Sequence, residues 1–148
     1  MSLSIAYEGS RSQLIRQLIY FDEEKSGFLN QYFPEWGQKR SSFERFLSDY
    51  SAALERILAD LTPENLHAAV LIGSQLDLRY IDDGATETFA IVFPHMADPD
   101  RNRVSFLSPL GYQLMLAKAG DRSQLEVPSG EITVQVDRIQ FVNLGDTP

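Results

Sequence analysis

The chain has 148 residues, of which 43% are hydrophobic, and a formal net charge of −8. This composition supports one compact domain or two small lobes and excludes intrinsic disorder. The absence of cysteine excludes disulfides, thiolate zinc sites and cysteine nucleophiles, and the acidic balance excludes a basic face that grips a phosphate backbone. No apolar run reaches the roughly 18–20 residues of a membrane span, and the N-terminus lacks the features of a signal peptide. We therefore expect a cytoplasmic protein that binds no membrane.

The first half of the sequence has the apolar spacing of two helices. In residues 12–32, and again in residues 41–61, large apolar side chains recur at alternating steps of four and three positions. That spacing is typical of a helix that buries one narrow seam against a partner. Two helices of similar length with matching seams and a short connection predict an antiparallel helical hairpin, a coiled coil, within residues 1–67.

The connection FPEWGQKR, residues 33–40, is the predicted tip of this hairpin. Pro34 and Gly37 both interrupt a helix, and two cations, Lys39 and Arg40, close the segment. The other side chains that we expect the tip to present are Phe33, Glu35 and Trp36.

From about residue 68 the apolar period changes from that of a helix to that of strands. QLDLRYI and TETFAIVF alternate apolar and polar residues on either side of a DDG turn, which predicts a β-hairpin. VSFL is a predicted third strand. EITVQVDRIQFV is a predicted last strand whose alternation changes parity, as a bulge near Asp137 and Arg138 would require.

Ser108 and Pro109 predict the start of one short helix in this second half. A serine hydroxyl accepts an N–H bond at the N-cap, and proline loses nothing at the first helical position, where the N–H has no partner in any case. We expect the helix to continue to about Lys118. The predicted fold class is therefore α+β, with a helical hairpin in residues 1–67 and an antiparallel sheet with one short helix in residues 68–148.

The sequence contains no recognisable catalytic or metal-binding motif. Its two histidines, His67 and His95, have no second ligand at metal-binding spacing. A phosphate-binding loop, a nucleophile elbow and a zinc-protease motif are all absent. Asp82 and Asp83 are explained by a turn before glycine. We therefore predict that the protein is not an enzyme by itself and has no catalytic residue, no metal site and no cofactor of its own.

Residues 69–142 carry several short segments in a particular order: DDG, TETFAIV, ADPD, RVSFLSPLG and VPSGEITV. Each segment is weak alone, but their order and spacing across half the chain resemble the C-terminal domain of the bacterial Gre family of transcription elongation factors, the GreA/GreB proteins. The resemblance implies an FKBP-like fold for this half and a helical hairpin ahead of it. The apolar spacing of the first half predicts the same hairpin independently.

The resemblance also implies a partner and a binding surface. In the Gre family this domain docks at the rim of the secondary channel of bacterial RNA polymerase, so nucleic acid is met only indirectly, through the elongation complex. The corresponding docking residues here are Asp98, Ser108, Pro109, Leu110 and Gly111. We expect the protein to occupy the channel or to compete for it, and its oligomeric state stays open.

In the family, cleavage-stimulating members hold a magnesium ion with carboxylates at the hairpin tip, within the polymerase active site. The predicted tip here has Glu35 alone, beside Lys39 and Arg40, which is a poor ligand set for an ion that favours several oxygens. In this respect the chain is similar to a short-armed relative, the regulator of nucleoside diphosphate kinase (Rnk), which lacks cleavage activity. We therefore expect an elongation factor that modulates the polymerase without stimulating transcript cleavage.

Two alternatives stay open at this point. A tip at FDEEKSG would make the protein a true cleavage-stimulating factor, although Pro34 would then lie inside the second arm at a cost of about 3 kcal/mol. The carboxylates of that alternative tip are Asp22, Glu23 and Glu24. The FKBP-like architecture also allows a peptidyl-prolyl isomerase, although a fold does not imply that function and the sequence has no separate motif for such a pocket.

Overall fold

The structure, a computed structural model, describes residues 7–148 and divides into two compact units, with the main boundary after Leu61. The sequence placed this boundary after His67. The difference arises because the short helix Pro63–Leu66 is tied to the second unit by the residue that follows it: His67 Nδ1 accepts a hydrogen bond from the backbone N–H of Phe141 at 2.8 Å. None of the helices in the described part of the chain combines the length and apolarity that crossing a bilayer requires.

The first unit consists of three helices: α1 (Glu8–Glu23), α2 (Lys25–Tyr32) and α3 (Gln38–Ala59). The sequence predicted one continuous first helix, but the structure interrupts it at Glu24, whose φ of −107° and ψ of 11° lie outside the helical range. Hydrogen bonds of helical spacing continue across the interruption. The Glu24 N–H donates to the Tyr20 carbonyl at 2.7 Å, and the Glu24 carbonyl accepts from the Phe28 N–H at 2.9 Å. The first arm is therefore distorted here but does not reverse.

Aromatic rings form the seam between the two arms. Phe28 and Phe43 stack with their centroids 5.5 Å apart, and Phe21 meets Tyr50 edge to face at 6.1 Å. Because the earlier residue of the first arm pairs with the later residue of the second, the arms run antiparallel. In the same seam the Tyr50 hydroxyl donates to Gln17 Oε1 at 2.6 Å. Ring pairs of this kind contribute roughly 0.5–1.5 kcal/mol beyond the area that they bury.

The second unit has the predicted α+β composition, with five strands in the order β3-β2-β1-β5-β4. Its helices and strands are α4 (Pro63–Leu66), β1 (Ser74–Tyr80), β2 (Thr86–Val92), β3 (Arg103–Ser105), α5 (Pro109–Leu114), β4 (Arg122–Val127) and β5 (Gly130–Phe141). Two 3₁₀ turns, Pro94–Met96 and Pro99–Arg101, lie between β2 and β3. Gly84, in the predicted turn between β1 and β2, has a φ of +74°, which glycine adopts without strain.

The strand pairing differs from the prediction at one edge of the sheet. Three of the pairings are antiparallel as predicted, but β3 pairs parallel with β2. Residues 93–102 pass through the two 3₁₀ turns instead of folding back in a tight hairpin, so β3 enters the sheet in the direction of β2. The predicted bulge is confirmed, because Asp77 pairs with Arg138 while Leu78 pairs with Val136.

Helix α5 is shorter than predicted and ends at Leu114 instead of near Lys118. Leu116 has a left-handed φ of +66°, which a helix cannot continue through. Its N–H donates to the Val70 carbonyl at 2.8 Å, and the Ala117 carbonyl accepts from the Val70 N–H at 2.9 Å. These residues therefore pair with the segment before β1 and are not available to the helix.

Candidate functional site

The start of α5 contains four of the five predicted docking residues. Ser108 Oγ accepts the N–H of Gly111 at 3.0 Å and donates its own hydrogen to the Ser105 carbonyl at 2.8 Å. Pro109 follows at the first helical position. The N-cap prediction for Ser108 is confirmed, and such a cap typically contributes about 1 kcal/mol to stability.

Gly111 is required by the close approach of two backbone segments. The residue is buried, and a Cβ built on it would collide with the carbonyl oxygen of Ser105 and lie 3.0 Å from Ser108 Oγ. A larger residue would push α5 away from the chain that precedes it. Gly111 therefore positions the start of α5 and offers no side chain to a partner.

Pro109 and Leu110 line one side of an open groove with a volume of 420 Å³. Pro109 is exposed and Leu110 is half-buried, so both present apolar surface. The other residues of this depression, which we call the Pro109 groove, are Tyr80, Val104, Ser108, Val127, Pro128, Ser129 and Ile132. The groove thus brings three of the predicted docking residues together with the turn between β4 and β5.

Gln113 fixes the two sides of the Pro109 groove relative to each other. Its Nε2 donates to the carbonyls of Pro109 and Glu126 at 2.7 and 2.6 Å, and its Oε1 accepts from the Glu126 N–H at 3.0 Å. Glu126 immediately precedes Val127, which lines the groove. These three bonds hold α5 against β4, so the groove is preformed.

Tyr80 contributes a phenol to the lining of the Pro109 groove. Its hydroxyl donates to Glu87 Oε1 at 2.8 Å. Burial, followed by the bond to Glu87 and the nearby carboxylates, raises the pKa of Tyr80 to about 12. The phenol therefore stays protonated near neutral pH and acts as a hydrogen-bond donor.

Asp98, the fifth predicted docking residue, lies on a separate turn and does not line the Pro109 groove. Its Oδ1 accepts the N–H of Asp100 at 3.2 Å and caps the 3₁₀ turn Pro99–Arg101. Its Oδ2 is 3.6 Å from Arg101 Nε, and its backbone exchanges hydrogen bonds of 2.9 and 3.0 Å with Arg103. In this structure Asp98 shapes the chain that enters β3.

The hairpin tip consists of residues 33–37, between α2 and α3. Phe33 stacks on Phe43 with a centroid distance of 4.5 Å, whereas Glu35 is exposed and Trp36 is 84% exposed. The loop and the residues on either side of it, 32–39, line a cavity of 270 Å³. The three predicted tip residues therefore differ in environment: one is part of the seam and two face solvent.

Arg40 is a buried cation directly behind the tip. It is only 6% exposed, and its Nη1 donates to the Phe33 carbonyl at 2.9 Å and to Asn30 Oδ1 at 3.3 Å. The guanidinium also lies 4.3 Å from the centroid of the Trp36 ring, while its Nε has no hydrogen-bond partner. Both acceptors are neutral, so Arg40 is buried without a carboxylate among its partners.

The alternative tip depended on three acidic residues, Asp22, Glu23 and Glu24. They lie at the distortion between α1 and α2, whereas the chain reverses at residues 33–37, so this position for the tip is wrong. The helical hydrogen bonds across Glu24 are the physical reason. Asp22 lines a groove of 430 Å³ on the side of the hairpin, where Lys25 Nζ is 3.4 Å from Glu44 Oε2. Within the residues that the structure describes, no group of three or more His, Asp or Glu side chains is arranged to hold a metal.

A family model described as "Transcription elongation factor, GreA/GreB, C-term" matches residues 65–141. The chain belongs to the GreA/GreB family. The matched region includes the Asp98 turn and every residue that lines the Pro109 groove, but none of α1, α2 or α3. The family resemblance inferred from the sequence is confirmed.

Individual relatives carry the same family name. Transcription elongation factor GreA of Desulfovibrio desulfuricans is 36% identical over 72 residues, which are 49% of this chain and 44% of that protein. GreA of Nautilia profundicola is 29% identical over 107 residues, 72% of this chain and 66% of that protein. The chain thus spans less than two thirds of either relative.

Two solved structures of GreA/GreB-type proteins are also similar. A prokaryotic GreA/GreB factor from Nitrosomonas europaea covers 64% of this chain and 78% of its own, with 21% identity and a TM-score of 0.47. GreA factor homolog 1 of Thermus thermophilus covers 88% of this chain and 94% of its own, with 21% identity and a TM-score of 0.45.

The sequence alone did not indicate two parts of these sites. It singled out the Pro109 side of the groove but not the opposite side, because the VPSG turn between β4 and β5 does not reveal which surface it faces. It also named Arg40 only as one of two cations that close the tip segment and did not predict its burial. A signal for its burial was present in the spacing. Arg40 precedes Phe43 by three positions and Phe43 precedes Leu47 by four, so Arg40 falls on the same helix face as the apolar seam.

Proposed function

We propose that this member of the GreA/GreB family binds bacterial RNA polymerase through the Pro109 groove, at the rim of the secondary channel, and modulates elongation without stimulating transcript cleavage. The proposal rests mainly on the position of the groove in the sequence. All residues that line the groove lie within residues 65–141, the region that the family model matches. The relatives described above are named transcription elongation factors. A shared domain with an open apolar depression supports a shared protein partner.

The chemistry of the groove suits a protein partner. Pro109, Leu110 and Val127 offer apolar surface, and Ser108 and Ser129 are polar residues of the same lining. Interfaces typically combine an apolar centre with a polar rim. Because the bonds of Gln113 fix the groove before binding, little ordering cost is incurred when a partner side chain enters it.

The tip supports the second part of the proposal, the lack of cleavage stimulation. Within residues 33–40, Glu35 is the sole acidic residue and is accompanied by Lys39 and Arg40. Mg²⁺ prefers several oxygen ligands in octahedral geometry, and neighbouring cations oppose its binding by like-charge repulsion. A tip of this composition has too little negative charge to help hold a metal ion in the polymerase active site.

Direct binding to purified bacterial core RNA polymerase tests the docking surface. Leu110→Asp places a charge in the apolar groove and is expected to weaken binding at least about tenfold, which corresponds to about 1.4 kcal/mol. Gln75→Glu is the matched control, because it adds the same charge to an exposed position on β1 outside the groove. Equal binding by the parent and Leu110→Asp, with both variants folded by thermal melting, would contradict the docking assignment.

A stalled, backtracked elongation complex tests the absence of cleavage. We expect the RNA to keep its length when the protein is added at concentrations that saturate polymerase binding. The double variant Asp22→Ala and Glu23→Ala should behave like the parent, because these residues lie on the first arm and not at the tip. Rapid RNA shortening by the parent that the double variant loses would restore the cleavage-stimulating alternative.

A further inference from the structure

Helix α1 has a second apolar surface, on a face turned away from the ring seam. Gln17 and Phe21 face the seam, where both contact Tyr50. Ile15 and Ile19, by contrast, are 40% and 49% exposed. They stand four positions apart, so they are neighbours on one face of the helix. Adjacent exposed apolar side chains are a feature of surfaces that a partner covers.

Charged residues flank this apolar surface in a definite order along the helix. Six residues fall on one face at alternating steps of three and four positions, the spacing of a helix that packs along another helix. The six residues, which we call the α1 stripe, are in chain order Glu8, Arg11, Ile15, Leu18, Asp22 and Lys25. The α1 stripe is therefore negative, positive, apolar, apolar, negative and positive. It extends from α1 into α2 because hydrogen bonds of helical spacing continue across Glu24.

The order of residues in the α1 stripe is complementary to its own reverse. When two copies of the helix lie antiparallel so that Ile15 of each faces Leu18 of the other, Arg11 of each faces Asp22 of the other. The same register brings the first carboxylate of the stripe opposite its last cation, because all three pairs are centred between residues 16 and 17. In a parallel arrangement every charged residue would face an identical one. Electrostatic complementarity of this kind sets orientation and register.

The inner charges of the α1 stripe have no counterpart within the hairpin. Among residues 7–148, neither Arg11 nor Asp22 takes part in an ion pair. Asp22 is exposed and lines the groove of 430 Å³ on the side of the hairpin together with Leu18 and Ile19. A second copy in the antiparallel register would bring its own Ile15 and Arg11 to this groove.

We propose that the α1 stripe is a self-association surface, on which two copies of the chain pair their α1 helices antiparallel about a twofold axis. Such a contact uses the same surface of both copies. The stripe contains two carboxylates and two cations, so the copies meet there without net repulsion although the whole chain has a charge of −8. The proposal does not depend on docking through the Pro109 groove, whose residues all lie in the second unit.

The order of charges selects a second copy of the chain as the occupant of this face. A different protein could cover the two exposed isoleucines, but it would need the same charges in reverse order to satisfy both Arg11 and Asp22. An uncharged apolar helix would leave both of them without a counterpart. The chain itself carries the required order, and specific pairing of helices commonly depends on such charge patterns.

Sedimentation equilibrium of the full chain measures the association. We expect the average mass to rise from the 16.7 kDa of the monomer towards about twice that value as the concentration increases from about 1 µM to about 1 mM, the range expected for a small, transient interface. Ile15→Glu places a charge at the apolar centre of the pair and should weaken association at least about tenfold. Added salt should also weaken it, because the charge pairs are screened.

Charge reversal tests the antiparallel orientation. Arg11→Glu alone and Asp22→Arg alone should each weaken association about three- to tenfold, because two like-charge pairs replace two opposite-charge pairs in the symmetric contact. The double variant with both substitutions should associate within about threefold of the parent, since only an antiparallel pair regains both attractions. Arg45→Glu is the matched control, because it reverses an exposed charge on α3 outside the groove, and it should associate like the parent.

Three results would each overturn the proposal: a parent that keeps the monomer mass over the whole concentration range, association that Ile15→Glu leaves unchanged, and a double variant as weak as the single variants. Circular dichroism checks that these surface substitutions retain the helices of the hairpin. If the chain stays monomeric and Ile15→Glu weakens polymerase binding, the α1 stripe is a contact with the polymerase and not with a second copy.

Discussion

The helices of the two units begin in different ways. In the second unit, α4, α5 and the 3₁₀ turn Pro99–Arg101 each start with a side-chain cap followed by proline, provided by Thr62, Asp98 and Ser108. In the hairpin, none of α1, α2 and α3 has a side-chain cap. The helix starts of the second unit are therefore fixed by side chains next to them in the sequence, whereas the hairpin helices are held by rings that are distant in the sequence.

The difference in helix capping is accompanied by a difference in the surface that each unit exposes. In the second unit the cap at Ser108 fixes Pro109 and Leu110 at the edge of a preformed groove. In the hairpin the uncapped start of α3 leaves backbone donors at the tip, next to Trp36. One unit offers fixed apolar surface, and the other has a helix that starts without a side-chain cap.

The largest expected effect is on the ring seam of the hairpin. Phe43→Ala removes a fully buried ring that contacts Phe28, Phe33 and Phe46, and truncation of a buried phenylalanine costs about 3–5 kcal/mol. We expect the hairpin to lose most of its stability, monitored by Trp36 emission and by helical circular dichroism in a denaturant titration. Phe46→Ala, at a half-buried position, should cost less. Equal losses would show that the seam is not organised around Phe43.

The next largest effect on stability is expected at two glycines that differ in the space around them. Gly111→Ala is expected to destabilise the second unit by about 1–3 kcal/mol, because the added Cβ would collide with the Ser105 carbonyl. Gly27→Ala lies within α2, where its Cβ would meet nothing closer than 4.0 Å, so it should stabilise the hairpin by about 1 kcal/mol. Thermal melting of both variants checks the opposite signs, and destabilisation by both would contradict the contrast.

Changes at the helix N-caps should alter stability by a smaller amount. Removing a cap in the second unit should destabilise it, and adding one in the hairpin should stabilise it. Ser108→Ala removes the acceptor of the Gly111 N–H and should cost about 1 kcal/mol. Gly37→Asp introduces a cap and a negative charge at the uncapped start of α3, and should stabilise the hairpin by about 0.5–1 kcal/mol. Chemical denaturation measures both changes. If Gly37→Asp has no effect, the N–H groups of α3 already have adequate partners.

The smallest effect is expected from pH. Burial and, to a lesser extent, the charge of Arg138 lower the pKa of His67 from its ordinary value of 6.5, and its Nδ1 accepts the N–H of Phe141. The unfolded chain therefore binds the proton more readily, so stability should decline as the pH falls through 6.5. Melting temperatures between neutral and mildly acidic pH measure the decline. His67→Gln should flatten it, and His95→Ala, which also removes one histidine, should retain it.

The features that the sequence predicted correctly are those set by local chemistry. The cap at Ser108, the turn at Gly84 and the bulge at Asp137 each follow from a few adjacent residues whose hydrogen-bonding or backbone preferences are strong. The antiparallel hairpin followed from a repeated apolar spacing, which is also readable along the chain.

The features that the sequence missed depend on partners far along the chain. The parallel direction of β3 is determined by how residues 93–102 coil, and no single residue encodes it. Helix α3 starts at Gln38, before the predicted start, and Arg40 reaches back to the Phe33 carbonyl within its first turn. The groove lining combines Pro109 with Ile132, which lie on separate elements. The direction of β3 and the lining of the groove leave no local signal, whereas the burial of Arg40 does, because Arg40 stands in step with the apolar seam.

Gln113 has a further consequence at the border of the sheet. A border strand exposes unpaired peptide groups to which another chain can add, a common route to aggregation. The amide of Gln113 occupies both the N–H and the carbonyl of Glu126, as a neighbouring strand would. On the opposite border, β3 is only three residues long and offers little template. A single side chain at one margin and a short strand at the other thus reduce the edge that is open to unwanted self-assembly.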